Sequence, residues 1–163
     1  MKTLLVLRHA KSSWKEPGLT DHERPLNKRG RRDAPRMGAL LRDKNLIPDL
    51  IFCSTALRAR ETAELVAVHS GYPGEIHYET DLYMASPEVY LRNLLALGDD
   101  LQRVMVIGHN PGVEVLVSLL TGQNETMPTA ALAVLELPIQ TWLECSSHIQ
   151  AAIKNLWRPK ELS

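Results

Sequence analysis

Thr3-Leu4-Leu5-Val6-Leu7-Arg8-His9-Ala10-Lys11-Ser12 carries a short apolar run straight into an arginine and a histidine. An uninterrupted run of this length, without polar alternation, fits a strand covered on both faces, as in a parallel sheet flanked by helices. The first polar side chains then fall at the C-terminal end of the strand, where open α/β sheets bind ligands. Arg8 presents a planar fork of donors matched to phosphate or carboxylate oxygens. His9 presents a ring nitrogen able to attack, to accept a proton or to ligate a metal. Read alone, the pair is equally a strand end that happens to be polar.

Two later stretches follow the same logic. Leu50-Ile51-Phe52-Cys53 is a second apolar strand closing at Ser54. Ser54 reads as the N-cap of a helix over residues 55–69 that Gly71 ends. At ~100° per residue, Ala59, Thr62, Ala63, Leu65 and Val66 share one face of that helix. Arg60, Glu61 and Glu64 share the other, with Arg60–Glu64 as an i,i+4 pair. Arg58 falls on the inward face, in the first turn after a strand end. An inward guanidinium needs a partner, which is either a structural ion pair or a ligand at the sheet edge that holds Arg8 and His9.

Arg103-Val104-Met105-Val106-Ile107-Gly108-His109-Asn110-Pro111-Gly112 is the third stretch. A strand ends at a histidine, and a helix starts at once, with Asn110 as N-cap and Pro111 in its first turn. The free backbone N–H groups of such a start favour an anion. His109 is either a core histidine with a satisfied hydrogen bond or a wall of that anion site, and Asn110 is a candidate phosphate contact.

The remaining chain supplies an ordinary scaffold. Residues 10–26 form a polar loop with Arg24 on it, either solvated or turned back to the site. Asn27 caps a helix over residues 28–44 that contains Pro35. Residues 75–78 read as a short strand, and Ser86-Pro87-Glu88 opens a helix to Leu97. Residues 131–137 form another strand, the stretch around Trp142 is ambiguous, and a last apolar run covers residues 151–157. The expected architecture is one domain over residues 1–163, a three-layer αβα sandwich with a mostly parallel sheet.

Composition narrows the function classes. The 163 residues are 44% hydrophobic and 23% charged, with 19 Lys plus Arg against 19 Asp plus Glu. Zero net charge argues against a general nucleic-acid or membrane-surface role. No run approaches the ~18 apolar residues of a membrane span. Met1-Lys2 leads into the first strand without a signal-peptide pattern, so a cytoplasmic protein is expected. Cys53 and Cys145 lie far apart and are expected as free thiols. With no carboxylate cluster beside the two arginines and two histidines, neither a metal nor another cofactor is expected. A monomer is expected.

Two imidazoles among guanidinium groups make a pocket for an anion, best a phosphoryl group: one imidazole attacks phosphorus while the arginines spread over its oxygens. Leu7-Arg8-His9-Ala10-Lys11-Ser12, Ser54-Thr55-Ala56-Leu57-Arg58-Ala59-Arg60-Glu61-Thr62-Ala63 and Gly108-His109-Asn110-Pro111-Gly112 resemble the three ordered motifs of the histidine phosphatase superfamily. The short length, Arg24-Pro25-Leu26 and Pro128-Thr129-Ala130 look most like its phosphohistidine phosphatase branch, the SixA type. The resemblance covers nearly the whole chain. It implies that His9 is the phosphorylated nucleophile, that Arg8 and Arg58 bind the phosphoryl group, that His109 completes the pocket and that Arg24 adds a phosphate contact.

Two departures from the family pattern bear on the substrate. Ala10 stands where the motif usually has glycine. Mutases and broad-specificity phosphatases carry a glutamate general acid after the third strand, whereas this chain reads Asp81-Leu82-Tyr83-Met84-Ala85-Ser86. An alkoxide leaving group needs a proton donor; an imidazole protonated on its far nitrogen leaves neutral and needs less help. The expected function is therefore hydrolysis of a phosphohistidine on a protein, such as a phosphotransfer domain. A small-molecule phosphomonoesterase or phosphoglycerate-mutase-like enzyme, with Asp81 or Glu88 as stand-in acid, is the first alternative. A non-catalytic phosphoprotein-binding module is the second.

Overall fold

The computed structural model describes residues 1–162. Its six strands are β1 (Lys2–Arg8), β2 (Leu50–Ser54), β3 (Ile76–Glu79), β4 (Arg103–Gly108), β5 (Leu132–Leu137) and β6 (Ala152–Trp157). They form one sheet in the order β3-β2-β4-β1-β5-β6. The β3–β2, β2–β4 and β4–β1 pairs are parallel, and β1–β5 and β5–β6 are antiparallel. The mostly parallel sheet read from the apolar runs is therefore present, with an antiparallel edge.

The continuous apolar run of β1 follows from cover on both faces. Leu4 and Val6 join the core beneath α3 (Pro87–Leu95) and α4 (Gly112–Thr121). Leu5 and Leu7 join the core beneath α1 (Lys28–Asp43) and α2 (Leu57–Ser70). All four are fully buried, and each such side chain stabilises the fold by about 1.5–3 kcal/mol. Cys53 and Cys145 are free and buried in opposite cores, with the sheet between them. No helix among the described residues is long and apolar enough to cross a membrane.

Local signals placed α1 well: Asn27 accepts from the Gly30 N–H at 2.9 Å, as an N-cap should. They misplaced two other helix starts. Ser54 stays in β2, and α2 begins at Leu57 with no side-chain cap. Asn110 is not the cap of α4, which begins at Gly112; its amide is drawn instead to Glu114 and to the Met127 carbonyl. Tertiary partners outbid the local rule in both cases. Arg60 does not pair with Glu64 but lies over the Tyr78 ring, 4.6 Å from its centroid. The stretch around Trp142 is a 3-10 turn, with the buried indole donating to the Leu101 carbonyl at 2.7 Å.

Candidate active site

Strand register alone brings the two histidines together. β1 and β4 run parallel with Arg8 opposite Gly108, so the next residues, His9 and His109, leave adjacent strands side by side. Their ring centroids are 5.0 Å apart. Gly108 leaves room here for the buried Tyr90 hydroxyl, which a Cβ at this position would run into. The resulting cavity has a volume of about 300 Å³ and is lined by Arg8, His9, Arg24, Arg58, His109 and Asn110, all six expected site residues, together with Asp21 and the rim residues Lys11, Trp14 and Met84. Larger clefts elsewhere contain neither strand-end histidine: one of about 560 Å³ is lined by Arg29, Arg32 and Arg36, and one of about 610 Å³ has only His22 on its wall as a histidine.

His9 is held as a nucleophile. Its Nδ1 lies 2.8 Å from the Ala10 carbonyl, which can only accept, so Nδ1 carries the proton and Nε2 keeps its lone pair. The Ala10 peptide is itself fixed, because its N–H donates to the Thr62 hydroxyl at 2.9 Å, and that hydroxyl donates to the Arg58 carbonyl at 2.7 Å. Helix α2 thus sets the angle of the His9 ring through two hydrogen bonds. Burial pushes the His9 pKa down to about 3, opposed by the Ala10 carbonyl and reinforced by His109, Arg58 and Arg8. The ring is neutral at pH 7.

His109 is neutral as well, its pKa pushed down to about 4 by burial and then by Arg58. An Arg58 N–H points at its Nδ1 from 3.4 Å, and a guanidinium only donates. The proton therefore sits on Nε2 and is donated to the Ser54 hydroxyl at 2.7 Å. Ser54 serves as an anchor for His109 and accepts the Ala56 N–H at 3.2 Å, which explains why it does not cap α2.

The helix angles placed Arg58 correctly: it is 4% exposed, whereas Arg60 is exposed. Arg58 donates to the Asp21 backbone carbonyl at 2.7 Å and to the Asp21 carboxylate at 3.0 Å. The ion pair and the site position considered separately from the sequence are thus one arrangement. Arg8 donates to the Met127 carbonyl at 3.1 Å and leaves its Nε buried without a partner, a donor in want of an oxygen. Arg24 turns back into the cavity, bonded to the Ser13 carbonyl, the Ser12 hydroxyl and Asp21, with its guanidinium stacked 3.2 Å from the Trp14 ring centroid. Asn110 lines the cavity, but its amide donors go to Glu114 at 2.7 Å and the Met127 carbonyl at 3.0 Å, so no free amide N–H points at a phosphate.

Sequence reasoning missed Asp21, Ser54 as a histidine anchor, Thr62 and Tyr83. Asp21 sits on a 3-10 turn in the loop and accepts from Arg58, from Arg24 at 2.9 Å and from the Tyr83 hydroxyl at 2.5 Å. The Tyr83 hydroxyl and the two arginines hold its carboxyl well below the usual carboxylate range. Its one local signal was the i,i+3 spacing to Arg24 in Asp21-His22-Glu23-Arg24. The two carboxylates considered as stand-in acids lie elsewhere: Asp81 accepts from Arg92 at 3.5 Å and Asn93 at 3.4 Å, Glu88 is exposed at the start of α3, and neither lines the cavity.

Comparison with known proteins agrees with this geometry. Residues 4–83 match the family model of the histidine phosphatase superfamily, branch 1. A Mycobacterium tuberculosis protein named only as uncharacterized is 34% identical over 142 residues, covering 80% of this chain and 87% of that protein. A crystal structure from Agrobacterium tumefaciens, assigned to the SixA phosphohistidine phosphatases, superposes with a TM-score of 0.83 at 30% identity over 97% of this chain and 98% of that one. A 2,3-bisphosphoglycerate-dependent phosphoglycerate mutase from Bifidobacterium longum is 39% identical over 66 residues, only 38% of this chain and 26% of the mutase. With its two strand-end histidines and buried arginines in the order of the family's motifs, the chain belongs to the histidine phosphatase superfamily, whose members are phosphatases or mutases.

Proposed function

We propose that this chain is a phosphohistidine phosphatase that hydrolyses the N–P bond of a phosphorylated histidine on a partner protein. The observation that carries this reading is the pairing of a neutral nucleophile with three guanidinium groups beside a single cavity carboxylate that is ionised, so that no carboxylic acid is at hand to protonate a leaving group. In the first step, the Nε2 lone pair of His9 forms a bond to phosphorus as the substrate's N–P bond breaks. The departing imidazole, protonated on its other nitrogen, takes the electron pair and leaves neutral. Arg8 and Arg58 hold the equatorial oxygens where charge accumulates. The Ala10 carbonyl, accepting from Nδ1–H, stabilises the positive charge that His9 gains on phosphorylation. In the second step, water forms an O–P bond, the His9–P bond breaks, and the proton of the water leaves with inorganic phosphate.

The rim supports a protein substrate. Trp14 and Met84 are 72% and 58% exposed at the mouth of the cavity, offering apolar contacts to a surface carrying the phosphohistidine. The test compares kcat/KM at one pH for a phosphohistidine protein or phosphoramidate, an aryl phosphate and an aliphatic ester such as a phosphoglycerate. The expected order is N–P first, aryl second and aliphatic last. Preference for the aliphatic ester overturns the reading and moves the chain to the ester-hydrolysing side of the family.

A further inference from the structure

Asp21 is an anion fixed inside an anion-binding cavity. Three side chains from separate parts of the chain hold it: Arg24 at 2.9 Å on Oδ1, and Arg58 at 3.0 Å and Tyr83 at 2.5 Å on Oδ2. Tyr83 is braced in turn, edge-on to His109 with ring centroids 5.5 Å apart and edge-on to His22 at 4.8 Å. The Asp21 side chain is 45% exposed, whereas those of Arg24 and Arg58 are 9% and 5% exposed. The carboxylate therefore forms the outer layer of the site and the guanidinium groups its floor, so whatever is attached to a bound phosphoryl group extends toward solvent within reach of its field.

We propose that Asp21 is a specificity-determining residue that selects against phosphoryl donors whose leaving group carries a second negative charge. Charge balance on the cavity wall supports this. Among the guanidinium groups, Arg8, Arg24 and Arg58 supply three positive charges and Asp21 offsets one, which leaves two to match a phosphoryl dianion before Lys11 is counted. A carboxylate on the leaving group finds two of the three guanidinium groups engaged: Arg24 is already shared among Asp21, Ser12, Ser13 and the Trp14 face, and Arg58 between Asp21 and His109, while Arg8, with its unpartnered Nε, is taken by the phosphoryl group. The remaining cation of the wall is the partly exposed Lys11, which makes no ion pair with Asp21. The substrate class that fits is a phosphoryl group on a neutral or cationic leaving group, of which a protonated imidazole is one member and a phosphoglycerate is not. The inference rests on the phosphatase reading for its biological meaning, but its physical content is independent of which bond is cleaved.

The experiment uses two probes of equal shape and unequal charge, 4-carboxyphenyl phosphate and 4-carbamoylphenyl phosphate, with the wild type, Asp21→Asn and Asp21→Ser. The expected result is a kcat/KM ratio that moves about threefold to fivefold toward the carboxylated probe when Asp21 is neutralised, the size of one partly screened charge pair. In the wild type the discrimination should shrink as NaCl is raised. A merely structural role for Asp21 lowers both rates and leaves the ratio unchanged, and that result overturns the proposal. The Kd ratio of the matched 4-carboxybenzyl and 4-carbamoylbenzyl phosphonates, measured by calorimetry, repeats the comparison without turnover. A shifted binding ratio in a protein that cleaves neither these probes nor phosphoramidate keeps the filter and removes the phosphatase reading; turnover with unshifted ratios does the reverse; no binding and no turnover removes both.

Discussion

Arg58→Ala against Arg60→Ala separates site chemistry from helix surface at two positions two residues apart. Arg58 is buried between Asp21 and His109, and its guanidinium reaches both at 2.7–3.4 Å. A contact from such a group to a phosphoryl oxygen is worth about 1.5–3 kcal/mol. At about 1.4 kcal/mol per factor of ten, losing one contact lowers kcat/KM about tenfold or more, and losing two lowers it about a hundredfold or more. Asp21 loses a partner as well, but it keeps Arg24 and Tyr83 and is open to water, so the protein should stay folded. A second readout follows from the field. Arg58 is, after burial, the largest influence depressing the His109 pKa. Its removal lets that pKa rise toward the ordinary value of about 6.5, and the acid limb of the kcat/KM profile should move up in pH. Arg60 lies on an exposed face over Tyr78, an interaction worth about 0.5–1 kcal/mol to stability, and its loss should change kcat/KM less than twofold. The assay is steady-state hydrolysis of an aryl phosphate from pH 4 to 8, with inorganic phosphate as competitive inhibitor. Equal effects of the two substitutions, or a larger one at Arg60, refute the inward placement of Arg58.

Three further outcomes are expected. His9→Gln should abolish both turnover and acid-labile label incorporation from a phosphorylated substrate while the circular dichroism spectrum is unchanged; appreciable turnover by the folded variant removes His9 from its role. Stability should fall as pH is lowered from 7 to 5, because His9 and His109 have folded pKa values of about 3 and about 4, below the unfolded value of about 6.5. The unfolded chain then binds more protons across that window, which costs up to about 2 kcal/mol per histidine at pH 5. The His9→Gln/His109→Gln double variant should flatten the slope of Tm against pH, and an unchanged slope contradicts the buried neutral state. Thr62→Val leaves the buried Ala10 N–H without its acceptor at 2.9 Å, so Tm should fall by an amount equivalent to about 1–3 kcal/mol; kcat should fall more than KM rises, since the loss loosens the peptide that orients His9.

The sequence by itself determined the layered fold and where four candidate site residues fall, because the signals for them are local. Leu4 to Leu7 had to be apolar without alternation, since helices cover both faces of β1, and a strand so covered delivers Arg8 and His9 to its open end. The 100° periodicity of α2 separated Arg58 from Arg60 with no knowledge of what either touches. His109 followed from a strand ending in Gly108, and the β1–β4 register then set it beside His9. What only the tertiary structure decided is how side chains from distant loops divide the available hydrogen bonds. Ser54 and Asn110 are good helix caps locally, yet His109 takes one and Glu114 with Met127 takes the other. Arg24 could be read either as solvated or as turned back to the site, and the packing of Trp14, Ser12 and Asp21 around it decides for the site. Asp21 offered only its i,i+3 spacing to Arg24, because its place depends on residues 24, 58 and 83 meeting at one point. Periodicity reports which way a residue faces within its own element; which anion an arginine holds depends on competition among partners that the chain brings together only on folding.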